Sequence, residues 1–413
     1  MGESFEMNLF AMAHGGDALG RYEGRVVFVP YTMPGERVRV EIVEDHKRYA
    51  RARLLEVVEP APARVDPPCP FFGPGKCGGC QFQHIAYPTQ VQIKGRVVAD
   101  QLERIGKFDD PPLLEPISDE TGWEYRNRAL FHTTELGYPG FLSAGSDDVY
   151  PVDDCLIVHP LLDQLYHSLH MKHPNVEKME LRVGTATGDL MVVLQTYDEE
   201  SPSLKVDFPL SIVQVRHDTT PAPLVGLDYI TEVVRGREFR ISATSFFQVN
   251  SQQAERLVDL VLDALALEGD EVVLDAYCGV GLFTAFIAEW ASLVIGVEVN
   301  PDAVDDAVYN LADAENVTLL EGKVQHALSE IDESLDAVVL DPPRGGVEKE
   351  VLDGLALQAP ERIVYISCDP ATFARDARRL VRKGYTLVWV QPVDLFPQTY
   401  HVETVALLTR ESA

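Results

Sequence analysis

The C-terminal half of this 413-residue chain alternates between strand-like and helical segments, and this pattern restricts the fold more than any other feature. From about residue 241, apolar runs such as EVVLDA, SLVIGVEV and DAVVL are separated by stretches with helical periodicity, such as PDAVDDAVYNLADA. Strands that alternate with helices predict a parallel, doubly wound α/β sheet over residues 241–413. Ligands of such sheets bind outside the carboxyl ends of the strands, so the residues after each strand are the candidates for function.

The preceding residues predict two further domains, because a chain of this length exceeds one ordinary core. Residues 1–60 contain short alternating strands such as ERVRVEIVE and a Pro34-Gly35 turn. They predict a small β-barrel of the kind that binds oligonucleotides, although any small β domain fits the same periodicity. A Pro-rich linker, 59–68, follows. Residues 61–240 mix strand and helix signals and are expected to form a central domain.

The charge of the chain is strongly acidic, at 35 − 65 = −30. Such a chain repels nucleic acid at long range. The simplest explanation for the excess of acidic residues is adaptation to high salt. Two segments, 36–53 and 375–383, are locally basic and are either nucleic-acid contacts or solvated faces. No apolar run reaches the roughly 18–20 residues of a membrane span, and the first residues do not resemble a signal peptide. We therefore expect a cytoplasmic protein with no membrane partner.

Four of the six cysteines have a spacing typical of metal ligands. Cys69, Cys77 and Cys80 follow one another as C-x7-C-x2-C, and Cys155 lies downstream. In a reducing compartment disulfides are rare, so clustered cysteines more often bind metal. Four thiolates can hold zinc or a [4Fe–4S] cluster, and the spacing does not decide between them.

A glycine turn follows the first strand of the C-terminal sheet. It reads DAYCGVG, from Asp275 to Gly281, and Glu298 closes the next strand. Gly279 and Gly281 allow a ligand to approach the backbone closely, and an acidic residue after the next strand suits ribose hydroxyls. The full three-glycine dinucleotide fingerprint is absent. The pattern favours an S-adenosylmethionine site, with a nicotinamide enzyme as the alternative.

The segment Asp341-Pro342-Pro343-Arg344 follows the strand DAVVL and directs a carboxylate and rigid carbonyls into the same crevice. Methyltransferases that act on amino groups place an aromatic residue after the prolines, where this chain has Arg344. An amino group is therefore an unsuitable target. A plain turn at a strand end is the alternative interpretation.

Cys368 ends another strand of this sheet, in ISCDP. With Asp369 as N-cap and Pro370 as the first helical residue, the helix dipole should favour a thiolate, which Asp369 partly opposes. The alternative is an inert buried thiol.

A thiolate beside a methyl donor suits C5 of uracil, because its addition to C6 makes C5 nucleophilic. Removal of the C5 proton then requires a base, and Glu403 in HVET is the candidate; an exposed acid on an edge strand is the alternative.

Five segments of the chain are SFFQVN (245–250), DAYCGVG, DPPRGG, YISCDPATFARD and HVET, in that order. Together they resemble the RNA uracil-C5 methyltransferases with a TRAM domain and a [4Fe–4S] cluster. The resemblance covers nearly the whole chain. It implies an N-terminal OB-like TRAM barrel, an α+β central cluster-binding domain and a C-terminal Rossmann-like methyltransferase domain. It also implies that Cys368 is the nucleophile and Glu403 the base. The remaining implied sites are S-adenosylmethionine contacts at Gln248, Tyr277, Gly279, Gly281, Glu298 and Asp341, and cluster ligands at Cys69, Cys77, Cys80 and Cys155.

The chain departs from that family in three places. The first cysteine spacing is seven rather than five, Leu282 replaces a polar residue, and Lys323 replaces an acid near the cofactor base. The family acts on structured RNA, so the uridine must be unstacked to reach the site. The domain layout favours 23S rRNA, with the T-loop of tRNA as the alternative, and we expect a monomer. A non-catalytic RNA-binding assembly factor and a redox or cluster-carrier protein are the competing functions.

Overall fold

The computed structural model describes residues 4–169, 175–197, 208–216 and 221–410, and begins with the predicted barrel. Five strands close on themselves in the order β1-β2-β3-β5-β4, since β1 pairs with both β2 and β4. Alternate residues such as Val38 and Val40 are fully buried inside the barrel, as the period of two requires. The strands are β1 (Ser4–Met12), β2 (Ala18–Tyr22), β3 (Arg25–Val29), β4 (Arg37–Asp45) and β5 (Tyr49–Glu59).

The central region forms a second sheet of seven strands, in the order β12-β11-β10-β9-β6-β7-β8. Helix α2 (Pro160–Ser168) packs against β9, and all pairings except β10 with β11 are antiparallel. The strands are β6 (Arg128–Thr133), β7 (Pro139–Leu142), β8 (Val149–Pro151), β9 (Val176–Val183), β10 (Leu190–Thr196), β11 (Ser211–Arg216) and β12 (Ala222–Val225).

A separate hairpin, β13 (Tyr229–Val234) and β14 (Arg237–Ser242), joins this region to the C-terminal half. Its two-residue turn, Arg235-Gly236, has positive φ at both positions, as a tight hairpin requires. The hairpin shares its apolar core with the C-terminal helices and sheet. Residues 229–242 therefore pack with the domain that follows them.

The C-terminal domain is the predicted doubly wound α/β sheet, in the order β17-β16-β15-β18-β19-β21-β20. One strand departs from the expected parallel arrangement: β21 runs antiparallel between β19 and β20. No helix connects β20 to β21, so the chain returns directly and reverses. The strands are β15 (Val272–Ala276), β16 (Leu293–Glu298), β17 (Val317–Glu321), β18 (Ala337–Leu340), β19 (Arg362–Ser367), β20 (Thr386–Val393) and β21 (Glu403–Thr409).

Helices cover both faces of this sheet. They are α3 (Ser251–Leu265), α4 (Leu282–Ile287), α5 (Pro301–Asn310), α6 (Val324–Ala327), α7 (Lys349–Gln358) and α8 (Pro370–Val381). Within the described residues, no helix combines the length and the apolar character that a membrane crossing requires.

Helix α1 (Tyr87–Gln101) and the π-helical turn after it (Leu102–Gly106) lie between the barrel and the C-terminal sheet. Ile93 on α1 belongs to the barrel core, whereas Leu102 belongs to the core of the C-terminal sheet. Lys94 is completely buried, and its Nζ lies 2.6 Å from Oδ1 of Asp394 in the loop before β21. The helix thus holds that loop in place.

Candidate active site

The glycine turn after β15 has the strained backbone that its sequence suggested. Tyr277, Gly279 and Gly281 have φ of +67°, +55° and +85°. A Cβ on Gly281 would be strained by this φ and would lie 2.9 Å from Cδ1 of Leu311, so that the leucine side chain would have to shift. The Tyr277 hydroxyl donates a hydrogen bond of 2.8 Å to Oε2 of Glu348.

Glu298, at the end of β16, braces this turn. Its Oε2 accepts a hydrogen bond from the Gly279 N–H at 3.0 Å, and its Oε1 accepts from the N–H groups of Val299 and Asn300 at 2.8 Å. The carboxylate is thereby fixed beside the turn, at the point where the sequence predicted a contact with ribose hydroxyls.

Two carboxyl groups form the floor of the crevice, Asp275 fully buried and Asp341 partly buried. Asp275 lies at the end of β15 and accepts a hydrogen bond of 2.5 Å from the Thr284 hydroxyl. Burial raises its pKa to about 7, although Thr284 opposes the shift. Burial, together with the charge of Asp275, also raises the pKa of Asp341 to about 7. Gln248 Nε2 lies 3.5 Å from Oδ2 of Asp341, so two of the predicted cofactor contacts meet at this crevice.

Cys368 lies between β19 and α8, as predicted, but the thiol is not activated by its surroundings. Burial and the nearby charge of Glu403 raise its pKa to about 12; Asp341 and Asp369 act in the same direction, and Arg344 opposes them. Burial, and after it the surrounding carboxylates, therefore oppose the thiolate that the helix dipole was expected to favour.

Glu403 is the first residue of β21, and its position decides between the two interpretations of this acid. The strand lies inside the sheet and Glu403 is only 4% exposed, so it is not an exposed acid on an edge. Burial, with the charge of Asp341, raises its pKa well above the usual value, and Arg344 opposes this. His401 precedes the strand, and burial with the charges of Arg344 and Arg126 lowers its pKa to about 3.

The crevice therefore brings together Cys368, Asp341 and Glu403 with the exposed guanidinium of Arg344, which acts on both the thiol and the glutamate. Sequence reasoning treated Arg344 only as the absence of an aromatic residue. The sequence signal that could have identified Arg344 is its position after two prolines at the end of a strand, because residues at that position face the crevice.

Comparison with known proteins agrees with this geometry. Residues 210–411 match the tRNA (uracil-5-)-methyltransferase family, and residues 10–55 match the TRAM domain. An uncharacterized RNA methyltransferase of Caldanaerobacter subterraneus is 36% identical over 99% of both chains, and one of Halalkalibacterium halodurans is 36% identical over 98% of this chain and 96% of its own. The chain belongs to the RNA uracil-5-methyltransferase family.

A solved structure resembles this methyltransferase along its whole length. It is the tRNA (uracil-54, C5)-methyltransferase of Pyrococcus abyssi in complex with S-adenosyl-L-homocysteine, with a TM-score of 0.75 and 26% identity. The likeness covers 98% of this chain and 100% of the other. The fold is thus shared along the whole chain with a solved methyltransferase that binds S-adenosyl-L-homocysteine.

The four clustered cysteines of the methyltransferase line one cavity of about 150 Å³. Burial raises the pKa of Cys80 to about 12 and of Cys155 to about 11, whereas the nearby Arg126 lowers both. In the described part of the chain, no three His, Cys, Asp or Glu side chains are arranged to hold a metal ion.

The basic segments of the methyltransferase are largely neutralised. Arginines of β4 and β5 pair across strands with glutamates at 2.5–3.0 Å, so the face of 36–53 is a charge-compensated surface. In 375–383, Arg375 and Arg379 share Asp376. These segments fit the solvated-face alternative better than a free cationic patch. The barrel pairs are Arg37 with Glu6 and Glu59, Arg39 with Glu6 and Glu56, and Arg53 with Glu41.

Proposed function

We propose that this protein methylates C5 of a uridine in structured RNA through a covalent bond between Cys368 and C6. The observation that carries the proposal is the crevice in which Cys368, Asp341 and Glu403 meet at neighbouring strands, within electrostatic reach of one another. A redox or cluster-carrier protein would not need this arrangement.

The chemistry requires the residues that meet there. The Cys368 thiolate forms a bond to C6 of the uracil, and the electron pair of the C5–C6 double bond moves towards the C4 carbonyl to give an enolate. C5 would take the methyl group that S-adenosylmethionine supplies, with cleavage of the methyl–sulfur bond and release of S-adenosylhomocysteine. Glu403 then accepts the C5 proton, the double bond re-forms, and the C6–S bond breaks to release the thiolate.

The charges of the site suit these steps. A carboxylate whose pKa is raised by burial is a competent proton acceptor near neutral pH. The thiol, with a pKa near 12, must lose its proton in the complex, and Arg344 is the cation of the crevice that favours the thiolate. We assign the S-adenosylmethionine contacts to Gln248, Tyr277, Gly279, Gly281, Glu298 and Asp341, which surround the glycine turn and the Asp341 loop.

We also propose that Cys69, Cys77, Cys80 and Cys155 hold a [4Fe–4S] cluster. Support comes from their shared cavity and the positive charge of Arg126 beside it. The test is iron and sulfide content with the visible absorption of anaerobically purified protein. Cys155→Ser should remove most of the iron, and Cys278→Ser, a buried cysteine of the other domain, should retain it. Equal iron in both variants, or zinc in place of iron, would refute the assignment.

The RNA target has two candidates. The layout of barrel, cysteine loop and catalytic domain favoured 23S rRNA. The full-length likeness to the Pyrococcus abyssi enzyme, described as acting on uracil-54 of tRNA, supports tRNA as the second. Transcripts of both RNAs, offered separately at high salt with methyl-labelled S-adenosylmethionine, distinguish them by which one yields 5-methyluridine.

Two variants test the mechanism. Cys368→Ala should give neither product nor covalent RNA adduct. Glu403→Gln should accumulate an adduct that carries the methyl group, because the C5 proton cannot leave. Labelled product from Cys368→Ala would refute the nucleophile. If the wild-type protein binds S-adenosylmethionine and RNA but labels neither transcript, the non-catalytic assembly factor becomes the better explanation.

A further inference from the structure

The loop between the first two barrel strands leaves the barrel and rests on the catalytic domain. Residues 13–17 form a tight turn, closed by a hydrogen bond of 3.1 Å from the Gly16 N–H to the Ala13 carbonyl. A Cβ on Gly16 would lie 3.0 Å from Cβ of Tyr400, so the turn lies directly against the loop that precedes β21. This contact brings His14 to the start of α8.

His14 contacts the residue that follows the nucleophile. Its Nε2 lies 3.1 Å from Oδ2 of Asp369, and both side chains are about a quarter exposed, at 27% and 26%. The other oxygen of Asp369 accepts 2.9 Å hydrogen bonds from the N–H groups of Ala371 and Thr372. One carboxylate therefore caps α8 with one oxygen and binds the barrel with the other, directly beside Cys368.

The polar contacts of the His14 imidazole ring show which of its two nitrogens donates a hydrogen bond to Asp369. Because Asp369 is an ionised acceptor, Nε2 carries the proton, and Nδ1 is buried without a hydrogen-bond partner among the described residues. Burial works against ionisation of Asp369, but the bond from His14 and the helix N–H groups hold its pKa at about 2. The carboxylate charge in turn disfavours the Cys368 thiolate, so a donor on its second oxygen offsets that charge.

We propose that His14 is a positioning residue for methylation: the barrel loop fixes the Asp369 carboxylate and so holds Cys368 in the orientation that attacks C6. This inference rests on the proposed function. It gives the barrel a second role, since a domain of an RNA-binding type then contributes to the alignment of the nucleophile.

The test compares His14→Ala and His14→Gln with His46→Ala, a matched control in the same barrel. His46 is a half-exposed histidine near Glu44, in the turn after β4. The measurements are kcat, KM for the methylated RNA, and the rate of adduct formation with that RNA carrying 5-fluorouridine, which cannot lose a C5 proton. For His14→Ala we expect kcat and the adduct rate to fall about tenfold, or about 1.4 kcal/mol. KM should change less than about twofold.

His14→Gln should recover most of the rate, because its amide N–H can donate to Asp369, and thermal unfolding of each variant verifies that it is folded. His14→Ala combined with Asp369→Asn should be no slower than Asp369→Asn alone. A higher KM with an unchanged adduct rate would show that His14 only binds RNA. A rate equal to that of His46→Ala would also overturn the proposal.

If the wild-type protein labels no RNA, the proposed function fails while His14 can still be tested. Alkylation of Cys368 by iodoacetamide, followed by peptide mass spectrometry, needs no substrate. We expect His14→Ala to slow it about threefold at fixed pH, because the charge of Asp369 then acts on the thiol without compensation. An unchanged alkylation rate would contradict the inference by itself.

Discussion

Replacement of Asp341 by asparagine should stabilise the fold at neutral pH while it abolishes methylation. Burial, with the charge of Asp275, raises the pKa of Asp341 from 3.8 to about 7. Between these values the folded protein binds a proton that the unfolded chain has released, so stability falls as pH rises through this window and is constant above it. Asparagine is a neutral side chain of similar shape and does not carry this cost.

The magnitude follows from the shift. A difference of about three between the folded and unfolded pKa of Asp341 corresponds to about 4 kcal/mol of free energy. This is an upper limit, because Asp275 and Asp341 titrate together and one proton relieves both. We expect Asp341→Asn to raise the free energy of unfolding by about 2 kcal/mol near pH 8 and by almost nothing near pH 4.

Urea unfolding at both pH values, in the same high-salt buffer, measures this difference. The control is Asp353→Asn, since the pKa of this surface carboxyl is lowered by its hydrogen bond with Lys383. A lowered pKa contributes stability above the unfolded value, which is lost as pH falls, so this variant should lose stability near pH 8. A destabilised Asp341→Asn near pH 8, or an equal effect at both pH values, would refute the reasoning.

Three further predictions follow from contacts already described. Lys94→Met should destabilise the protein by about 3–5 kcal/mol, because it leaves Asp394 buried at 1% exposure without its partner; Lys94→Met with Asp394→Leu should recover much of this in urea unfolding. Gly281→Ala should cost about 1–3 kcal/mol through its φ of +85° and the clash with Leu311, and calorimetry should show weaker S-adenosylmethionine binding. Alkylation of Cys368 should increase about tenfold per pH unit between about pH 8 and 10, and a plateau near 9 would contradict its raised pKa.

Much of the architecture could be predicted because its signals are local. The alternation of strands and helices predicted the α/β sheet, and the rule that ligands bind at the carboxyl ends of strands predicted that Asp275, Asp341 and Cys368 line one crevice. The alternation in 36–53 likewise predicted barrel strands, which the closed sheet β1–β5 confirms.

What could not be predicted depends on contacts between distant parts of the chain. The reversal of β21 between β19 and β20 follows from strand pairing, which period and composition do not encode. The pKa of Cys368 is raised by burial and then by Glu403 and Asp341 from other parts of the chain, none of which a rule based on its own helix takes into account. His14 carried no signal, because only the fold brings residues 14 and 369 together.

The position of Glu403 also bears on how the protein is made. This residue enters the sheet with β21, which inserts between two strands synthesised earlier, and the loop before it is held by Gln90 and Lys94 across 308 and 300 residues of sequence. Contacts of such separation form late, after the loop-closure entropy of the whole chain has been overcome. A ribosome-bound chain that lacks residues 394–409 would therefore lack the strand that lies between β19 and the edge strand β20. The proposed base, Glu403, would join the crevice only when this last strand is added to the sheet.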